Sequence, residues 1–323
     1  MTIALACRML VGLLAAGAVA PVTAQEFPAR PLRLVVPYPP GGTSDILARP
    51  VAQALAERLG QPVVVDDRGG ANGNIGTEFV ARASADGYTL LFGNTSHTIN
   101  PALYAKVPYD PLKDFAGVAL LASTPLILVV HPSIPAVNVR ELVQVARVRP
   151  GQLNFSSAGS GSTAHLSGEL FKTMAGVDMV HVPYKGSGMA VSDLLGGQIS
   201  LTFGGLVPTL PHAKTGRLRA VAVTGARRSA IAPDVPTVSE SGLPGFVVNP
   251  WFGVLAQAQA PPAVLARMHA ELATLMRSPD ITARYAAQGA DIVVQAPAAF
   301  DEFIRAELAK WANIVRASGA RSD

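Results

Sequence analysis

The sequence predicts an α/β protein of two lobes between which the chain crosses twice. The 323 residues correspond to two domains at about 150 residues each. Apolar residues make up 49% and charged residues 15% of the chain, which excludes a disordered protein because enough apolar surface is present to offset the entropy of ordering. Short β-branched runs alternate with helical patterns, as in parallel sheets covered by helices on both faces.

The first 24 residues are predicted to be a secretory signal peptide. Arg8 precedes an apolar run from Met9 to Ala20, and small residues lead to a cleavage point after Ala24. This run is shorter than the roughly 20 apolar residues that span a bilayer. Cys7 is the one cysteine of the chain, so its removal would leave a mature protein without disulfide or thiol. We therefore expect a soluble protein exported to the periplasm.

Strands and helices alternate through the rest of the chain. The predicted strands are Leu32–Val36, Val63–Asp66, Thr89–Phe92, Ile127–Val130, Asn154–Ser156, Met179–Val182, Ile199–Phe203 and Ala220–Thr224. A helix with apolar residues from Ile46 to Leu59 ends at Gly60, and two more apolar stripes lie within 264–275 and 300–315. Crossings are expected at 123–125, between two apolar strands, and at 242–250, where Gly and Pro cluster. Lobe 1 would then comprise 25–124 and 248–323, and lobe 2 would comprise 125–247.

The segment that connects the first strand to the first helix is the most informative. It runs from Pro37 to Asp45 and reads Pro-Tyr-Pro-Pro-Gly-Gly-Thr-Ser-Asp. Its paired glycines permit close approach to the backbone, and Thr, Ser and Asp are N-capping types that leave first-turn N–H groups free. Such N–H groups attract a carboxylate. An ordinary capped turn is the alternative interpretation.

A second loop, from Ala158 to His165, has the same character. It reads Ala-Gly-Ser-Gly-Ser-Thr-Ala-His and lies between a strand and a helical stripe. It lacks the Lys of a phosphate loop and the Gly-x-Ser-x-Gly of a nucleophile elbow. It matches the dinucleotide fingerprint only in a loose form, and no acidic residue follows to hold a ribose, which argues against a nucleotide site. His165 either packs as a hydrogen-bonded core histidine, orients a loop carbonyl or touches the ligand.

Two further glycine-rich loops, 69–76 and 184–188, strengthen this interpretation. In open α/β sheets ligands collect outside the carboxyl ends of strands, where all four loops are expected. The strand that ends at Phe203 is followed by Gly204 and Gly205, which offer main-chain groups but no side-chain donor. With Phe203 and Tyr38 as flat walls, we expect the pocket to favour a monocarboxylate with an aromatic or extended tail over citrate. Alternatively, these glycines merely turn the chain outside the pocket.

Other functional classes find little support. The net charge of +4 is scattered, and no recognition pattern accompanies it, which argues against nucleic-acid binding. The six histidines show no metal-ligand spacing, so we expect no metal site.

Several motifs in this order resemble those of one protein family. They are Val35 to Asp45, Gly73 to Thr77, His97 to Tyr104, Pro108 to Pro111, Ser157 to Ser162, His181 to Gly186, Leu218 to Thr224 and Pro233 to Thr237. On these residues the chain resembles the Bug-type extracytoplasmic solute receptors of tripartite tricarboxylate transporters, from Pro28 to about Arg316. It departs from the family pattern at Asp67, Gly69 and the Gly204-Gly205 pair.

The resemblance implies a type II periplasmic-binding-protein fold, in which two α/β lobes joined by two crossovers close on a small organic acid in a cleft. It implies that main-chain N–H groups and waters at the two loops hold the carboxylate, with neither catalysis nor a metal or cofactor. We further expect a monomer that delivers its ligand to integral-membrane permease subunits. The expected ligand-binding residues are Tyr38, Gly41, Gly42, Thr43, Asp45, Asn94, Ser96, Ala158, Gly159, Gly161, Ser162, Thr163, His165, Tyr184 and Gly204.

Two other functions remain open at this point. A receptor of the same fold could signal to a membrane kinase instead of serving a permease, and one sequence does not separate these partners. An exported hydrolase would need an activated nucleophile. Ser160 or Ser162 with His165 is the nearest pairing, and it has no identifiable third member.

Overall fold

The computed structural model of this protein describes residues 27–321, so the predicted signal peptide lies outside the described residues. The strands are β1 (Leu32–Val36), β2 (Val63–Asp67), β3 (Thr89–Asn94), β4 (Phe115–Ser123), β5 (Leu126–Val130), β6 (Asn154–Ser157), β7 (Val180–Pro183), β8 (Leu201–Gly205), β9 (Arg219–Val223), β10 (Trp251–Gln257) and β11 (Asp291–Gln295). The helices are α1 (Thr43–Leu59), α2 (Asn74–Ala81), α3 (Ser96–Leu103), α4 (Val139–Val148), α5 (Thr163–Ala175), α6 (Ser187–Leu195), α7 (Leu206–Lys214), α8 (Pro262–Leu275), α9 (Pro279–Ala287) and α10 (Pro297–Ser318).

The eight strands predicted from sequence are confirmed to within two residues at each end. Sequence reasoning gave no bounds for β4, which precedes the first crossing, and missed β10 and β11, which follow the second crossing. β10 is buried along nearly its whole length, whereas β11 alternates between exposed and half-buried residues at a sheet edge. Neither pattern was distinctive enough among the Gly- and Pro-rich segments that surround it.

The strands form a six-stranded sheet and a five-stranded sheet. The first runs β2-β1-β3-β10-β4-β11 and the second runs β7-β6-β8-β5-β9. The first five strands of each order occupy corresponding places. β1 is parallel to β2 and β3, and β6 is parallel to β7 and β8. The expectation of purely parallel sheets is wrong, because β10 and β5 each run antiparallel to both of their neighbours. These are the strands that enter a sheet directly after a crossing, and their direction depends on long-range topology rather than on local pattern.

This topology determines where the loops lie. Because β1, β2 and β3 are parallel, the loops that follow them leave one edge of the first sheet. The loops after β6, β7 and β8 leave one edge of the second sheet in the same way. The segments that carry the predicted site residues therefore all lie at carboxyl edges, where α/β proteins bind ligands.

Apolar cores fill the space between each sheet and its helices. Leu34, Val36 and Phe92 are fully buried in the first sheet, and Phe155 and Phe203 are fully buried in the second. Burying such side chains contributes about 1.5 to 3 kcal/mol each relative to leaving them exposed. Within residues 27–321, no helix combines the length and the apolarity needed to cross a membrane.

The C-terminal helix α10 packs on both halves of the molecule. Phe300, near its start, lies against Gly253 of the first sheet, where a Cβ would come within 2.5 Å of the phenyl ring. Trp311 and Val315, near its end, belong to the apolar cluster around the second sheet. The lobe boundaries, which assigned 248–323 to lobe 1, stay a prediction.

Candidate ligand site between two glycine loops

The β1 loop, residues 38–45, begins helix α1 without a side-chain cap. Gly41 has φ +83° and donates its N–H to Asp45 Oδ2 at 2.8 Å. Gly42 is the N-cap residue, and the first helical bond runs from the Ile46 N–H to its carbonyl. Since Gly42 has no side chain, it cannot satisfy the N–H groups of the first turn, and these can bind an anion.

The β6 loop, residues 158–165, begins helix α5 with a cap. Gly161 has φ +78° and donates its N–H to His165 Nδ1 at 3.0 Å. Ser162 Oγ accepts the His165 main-chain N–H at 3.3 Å and donates to Gly159 O at 2.8 Å. One N–H of the first turn is therefore already satisfied. Ala158 is exposed, Thr163 is half-buried and Gly161 is buried.

His165 belongs to a buried pair of stacked histidines under the β6 loop. Its ring lies 3.8 Å from the ring of His181. Burial and, to a smaller extent, the charge of Lys172 lower the pKa of His165 to about 4. Burial, followed by the charges of His165 and Lys172, lowers the pKa of His181 to about 3. Both rings are therefore neutral at pH 7.

The hydrogen bonds of these histidines do not form the pairing predicted for a hydrolase. His181 Nε2 lies 2.7 Å from Ser157 Oγ, which lies 2.9 Å from Gly159 O. His165 Nδ1 is occupied by the Gly161 N–H, and Ser162 Oγ donates to a carbonyl. The pairing of Ser162 with His165 that a hydrolase would need is absent from this arrangement, because a general base must accept the nucleophile's proton.

Tyr38, Asn94 and Ser96 form a polar network beside the β1 loop. The Tyr38 hydroxyl donates to Ser96 Oγ at 2.6 Å, and burial raises the pKa of Tyr38 to about 12. Asn94 Oδ1 accepts the Ser96 N–H at 3.0 Å, and Asn94 Nδ2 donates to Ser44 Oγ at 3.1 Å. The network connects the end of β3 to the first turn of α1 and so positions two of the predicted site residues against the β1 loop.

Two carboxylates flank an arginine behind the β1 loop. Arg49 Nε lies 2.6 Å from Asp45 Oδ1, and Arg49 Nη2 lies 2.7 Å from Asp67 Oδ2. Burial raises the pKa of Asp67, and the neighbouring charge of Asp45 raises it further. Asp45 is thus held by the Gly41 N–H on one side and by Arg49 on the other, and Arg49 bridges the two carboxylates.

Asn72 was missed by sequence reasoning, which noted the loop 69–76 but not this side chain. Its Nδ2 donates to Asn100 Oδ1 at 2.8 Å and to Gly161 O at 3.2 Å. It thereby connects the loop after β2 to the β6 loop of the other sheet. The signal in the sequence was an Asn between glycines, since Asn is the non-glycine residue that best tolerates positive φ.

The predicted residues at the end of strand β8 differ in what they contact. Phe203 is fully buried against Phe171 and Phe246, so the expectation that it walls the pocket is wrong. Gly204 packs against Thr209, because a Cβ there would lie 2.5 Å from the Thr209 hydroxyl oxygen. A Cβ on the next residue, Gly205, would lie only 3.9 Å from Thr43 Oγ1 of the β1 loop, so the two sheet edges face each other closely.

Tyr184, directly after β7, stays a predicted ligand-binding residue. Its hydroxyl donates to Asp193 Oδ2 of helix α6 at 2.7 Å, in an exposed contact within its own lobe. Within residues 27–321, no cluster of three or more His, Cys, Asp or Glu side chains is arranged to hold a metal ion.

Helices α1 and α5, from opposite sheets, thus bring two N-termini to the site, where an anion could bind.

Comparison with known proteins identifies the family of this chain. A model of the tripartite tricarboxylate transporter family receptor matches residues 47–320. The chain belongs to this family. Its members are periplasmic solute-binding proteins. Among curated relatives, the protein BugT of Bordetella pertussis is 40% identical over 308 residues, which cover 95% of this chain and 94% of that protein.

Solved structures of family members agree in fold. R. palustris Rpa4515 with adipate is 37% identical, with a TM-score of 0.85 over 92% of this chain and 99% of that one. MatC from Rhodopseudomonas palustris with bound malate is 32% identical, with a TM-score of 0.80 over 90% of this chain and 100% of that one. The type II periplasmic-binding-protein fold and the Bug-type family expected from the motifs are both confirmed.

Proposed function

We propose that this protein is a periplasmic receptor that binds a small organic acid between its lobes and delivers it to membrane permease subunits. The observation that carries the proposal is the pair of glycine loops at facing sheet edges, each opening a helix N-terminus toward the other sheet. Positive helix ends and free N–H groups favour a carboxylate there. Family members with adipate and with malate support this ligand class.

In this proposal main-chain donors hold the carboxylate. The β1 loop supplies the uncapped first turn of α1, and the β6 loop supplies the first turn of α5. Thr43, Asn94 and Ser96 add neutral polar groups on one side. Arg49 is engaged with two carboxylates and contributes no direct contact. The protein acts by binding and release, without covalent chemistry and without a cofactor.

The structure changes our expectation of the ligand's shape. The argument for an aromatic tail used Phe203 as a flat wall, and that side chain is in the core. Thr43 and Gly205 approach each other closely at the opposite edge. We therefore propose a slim aliphatic acid, of the kind bound in the relatives, in place of an aromatic one.

Export and oligomeric state complete the proposal. We propose that the segment up to Ala24 directs the chain to the periplasm and is removed there, and that the mature receptor is a monomer. The partner is a permease rather than a sensor kinase. Uptake of the bound acid by cells that carry the neighbouring permease genes, lost on deletion of this receptor, supports the permease; unchanged uptake with altered gene expression supports the kinase.

Thermal unfolding with a ligand panel tests the binding function. The panel contains adipate, malate, benzoate, nicotinate and citrate, with an uncharged sugar as control. A ligand that binds the native state alone stabilises it by about 2.7 kcal/mol at a hundredfold excess over its Kd. We expect an aliphatic acid to raise the Tm and the sugar to leave it unchanged. A sugar that raises the Tm while no acid does so contradicts the proposal. Mass spectrometry of small molecules that co-purify with the native protein then identifies the physiological acid.

A further inference from the structure

Asn72 lies in a strained turn at the point where the two lobes meet. Ala71 and Asn72 have φ of +47° and +51°, between Gly70 and Gly73, which also have positive φ. Consecutive non-glycine residues in this region are rare and are retained where surrounding contacts hold them. The turn follows β2 and precedes helix α2, so it lies at the same sheet edge as the β1 loop.

The contacts that hold this turn come from the β1 loop and from helix α3. Asn100 Nδ2 donates to Asn72 O at 2.9 Å, and the Tyr38 hydroxyl lies 3.2 Å from the same oxygen. Asn72 Oδ1 lies 3.4 Å from Ser96 Oγ and 3.3 Å from the Tyr38 hydroxyl. The side chain is therefore fixed by groups that also shape the proposed binding site.

The second N–H of the Asn72 amide reaches the other lobe. A side-chain amide has two N–H donors. One is used by Asn100 Oδ1 within the lobe, and the other is donated to Gly161 O in the β6 loop at 3.2 Å. In this structure the second donor is therefore paired across the two sheets, in a contact that separating them would break.

The partner of this bond is suited to the role. A carbonyl oxygen repels a carboxylate, so the carbonyls of a loop that binds an anion must be hydrogen-bonded to other groups. The Gly161 carbonyl accepts a hydrogen bond from Asn72 Nδ2, and the Gly161 N–H donates to His165 Nδ1. Gly161 also has no room for a side chain, since a Cβ would lie 1.9 Å from Leu103 Cδ2. The loop therefore docks on the first lobe through its backbone.

We propose that Asn72 is a positioning residue for ligand capture, which latches the β6 loop onto the first lobe and keeps the Gly161 carbonyl away from the bound acid. The inference rests on the proposed receptor function. A latch that exists only in the closed form slows ligand release and leaves association unchanged. Losing one such hydrogen bond corresponds to a ligand dissociation rate about five to ten times faster.

The test compares three variants in the binding of adipate, or of whichever acid of the panel binds best. Asn72→Asp keeps the shape and the tolerance for positive φ but removes both N–H donors. Asn72→Gly relieves the backbone and removes the amide. Ala71→Gly relieves the same turn and keeps the amide, so it is the matched control. We expect faster dissociation and unchanged association for Asn72→Gly, and wild-type kinetics for the control. Asn72→Asp also adds a negative charge that repels the acid, so we expect it to slow association as well as to speed dissociation.

An interlobe distance measurement separates this inference from the receptor proposal. Spin labels on cysteines replacing the exposed Val64 and Met189 report the distance between the lobes, with Cys7→Ser where the leader is retained. We expect the Asn72 variants to populate the short, closed distance less than wild type, with or without acid. Equal distance distributions and equal dissociation rates overturn the latch. If no acid of the panel binds wild type, the receptor proposal fails, and the ligand-free distances alone then decide on the latch.

Discussion

The β1 loop and the β6 loop occupy equivalent places in the two sheets and share one backbone plan. In each, a glycine with φ near +80° donates its N–H to the side chain four residues later. That side chain is the Asp45 carboxylate in the β1 loop and the neutral His165 ring in the β6 loop. The backbone therefore makes the two loops alike, and a single side chain sets the charge that a bound anion meets.

The surroundings enlarge this difference in charge. Two carboxylates and one guanidinium lie behind the β1 loop, in Asp45, Asp67 and Arg49. Behind the β6 loop, Glu169 is paired with Lys172 at 3.1 Å, and the stacked histidines are neutral. We therefore expect the charged end of a ligand to bind nearer the β6 loop and its less charged part nearer the β1 loop.

Gly41 and Gly161 also differ in the space around them. A Cβ on Gly161 would overlap Leu103 of helix α3, whereas a Cβ on Gly41 would meet nothing within 4 Å. We expect Gly161→Ala to weaken carboxylate binding about tenfold or more, because Leu103 must shift before the β6 loop can dock. Gly41→Ala should cost about 1 to 2 kcal/mol of stability through its left-handed backbone, with smaller loss of affinity. Calorimetric titration and thermal unfolding of both variants measure the difference. Equal affinities would remove the distinction between the loops.

Acid should destabilise the protein through the β6 loop. The pKa of His165 is about 4 in the folded protein, against about 6.5 for an unperturbed histidine. Between these two pH values the unfolded chain binds a proton that the folded protein does not bind, so the free energy of unfolding decreases as the pH falls. The slope is up to about 1.4 kcal/mol per pH unit. Denaturant unfolding from pH 7 to pH 4.5 should show a shallower slope for His165→Asn, which keeps an acceptor for Gly161. Parallel slopes contradict this assignment.

The β1 loop should respond to acid with the opposite sign. The pKa of Asp67 is raised in the folded protein. Above the usual carboxyl pKa the unfolded chain therefore loses this proton more readily than the folded protein, and stability falls as the pH rises. Asp67→Asn should therefore be more stable than wild type at pH 7, and the gap should close as the pH falls below 4. The same unfolding series measures both effects. A variant that is less stable at pH 7 shows that the pairing with Arg49 outweighs the burial of Asp67.

The smallest expected difference concerns the two helix caps. Ser162 caps helix α5, whereas Gly42 leaves helix α1 uncapped at an ordinary φ of −81°. Ser162→Ala should cost about 1 kcal/mol of stability, since it leaves the His165 N–H without its acceptor. Gly42→Ala should cost somewhat less, about 0.5 kcal/mol, because glycine is a better N-cap than alanine but its Cβ would lie 3.7 Å from Pro39 O without overlap. Chemical denaturation of the two variants measures both changes in the free energy of unfolding. A large loss for Gly42→Ala points to a steric role for that glycine in the bound state.

The sequence predicted the local features of these loops and missed the long-range ones. Strand, glycine and helix follow each other along the chain, so the β1 and β6 loops were identified from adjacent residues. Asn72 bonds to Gly161 across 89 residues, and that pairing has no local signature. Phe203 was misplaced for a related reason, because the position of a strand does not say which of its faces is covered by another aromatic ring.

His165 shows where residue type alone was insufficient. A histidine one turn into a helix fits a packed core residue, a ligand contact or a residue that orients the loop. Its buried ring and its bond to the Gly161 N–H show that it packs and holds the loop backbone. Arg49 shows the reverse, because its sequence position downstream of the loop concealed its contacts with Asp45 and Asp67.

Calorimetric titration with adipate and with its neutral diamide, in wild type and in Gly161→Ala, tests the central claim most directly. The claim is that main-chain donors of two facing loops recognise a carboxylate. It predicts that wild type binds adipate at least about a hundredfold more tightly than adipamide, since charge-assisted hydrogen bonds are the stronger ones, and that Gly161→Ala loses this preference. Wild type that binds adipamide as tightly as adipate, or Gly161→Ala that keeps full affinity for adipate, would contradict it.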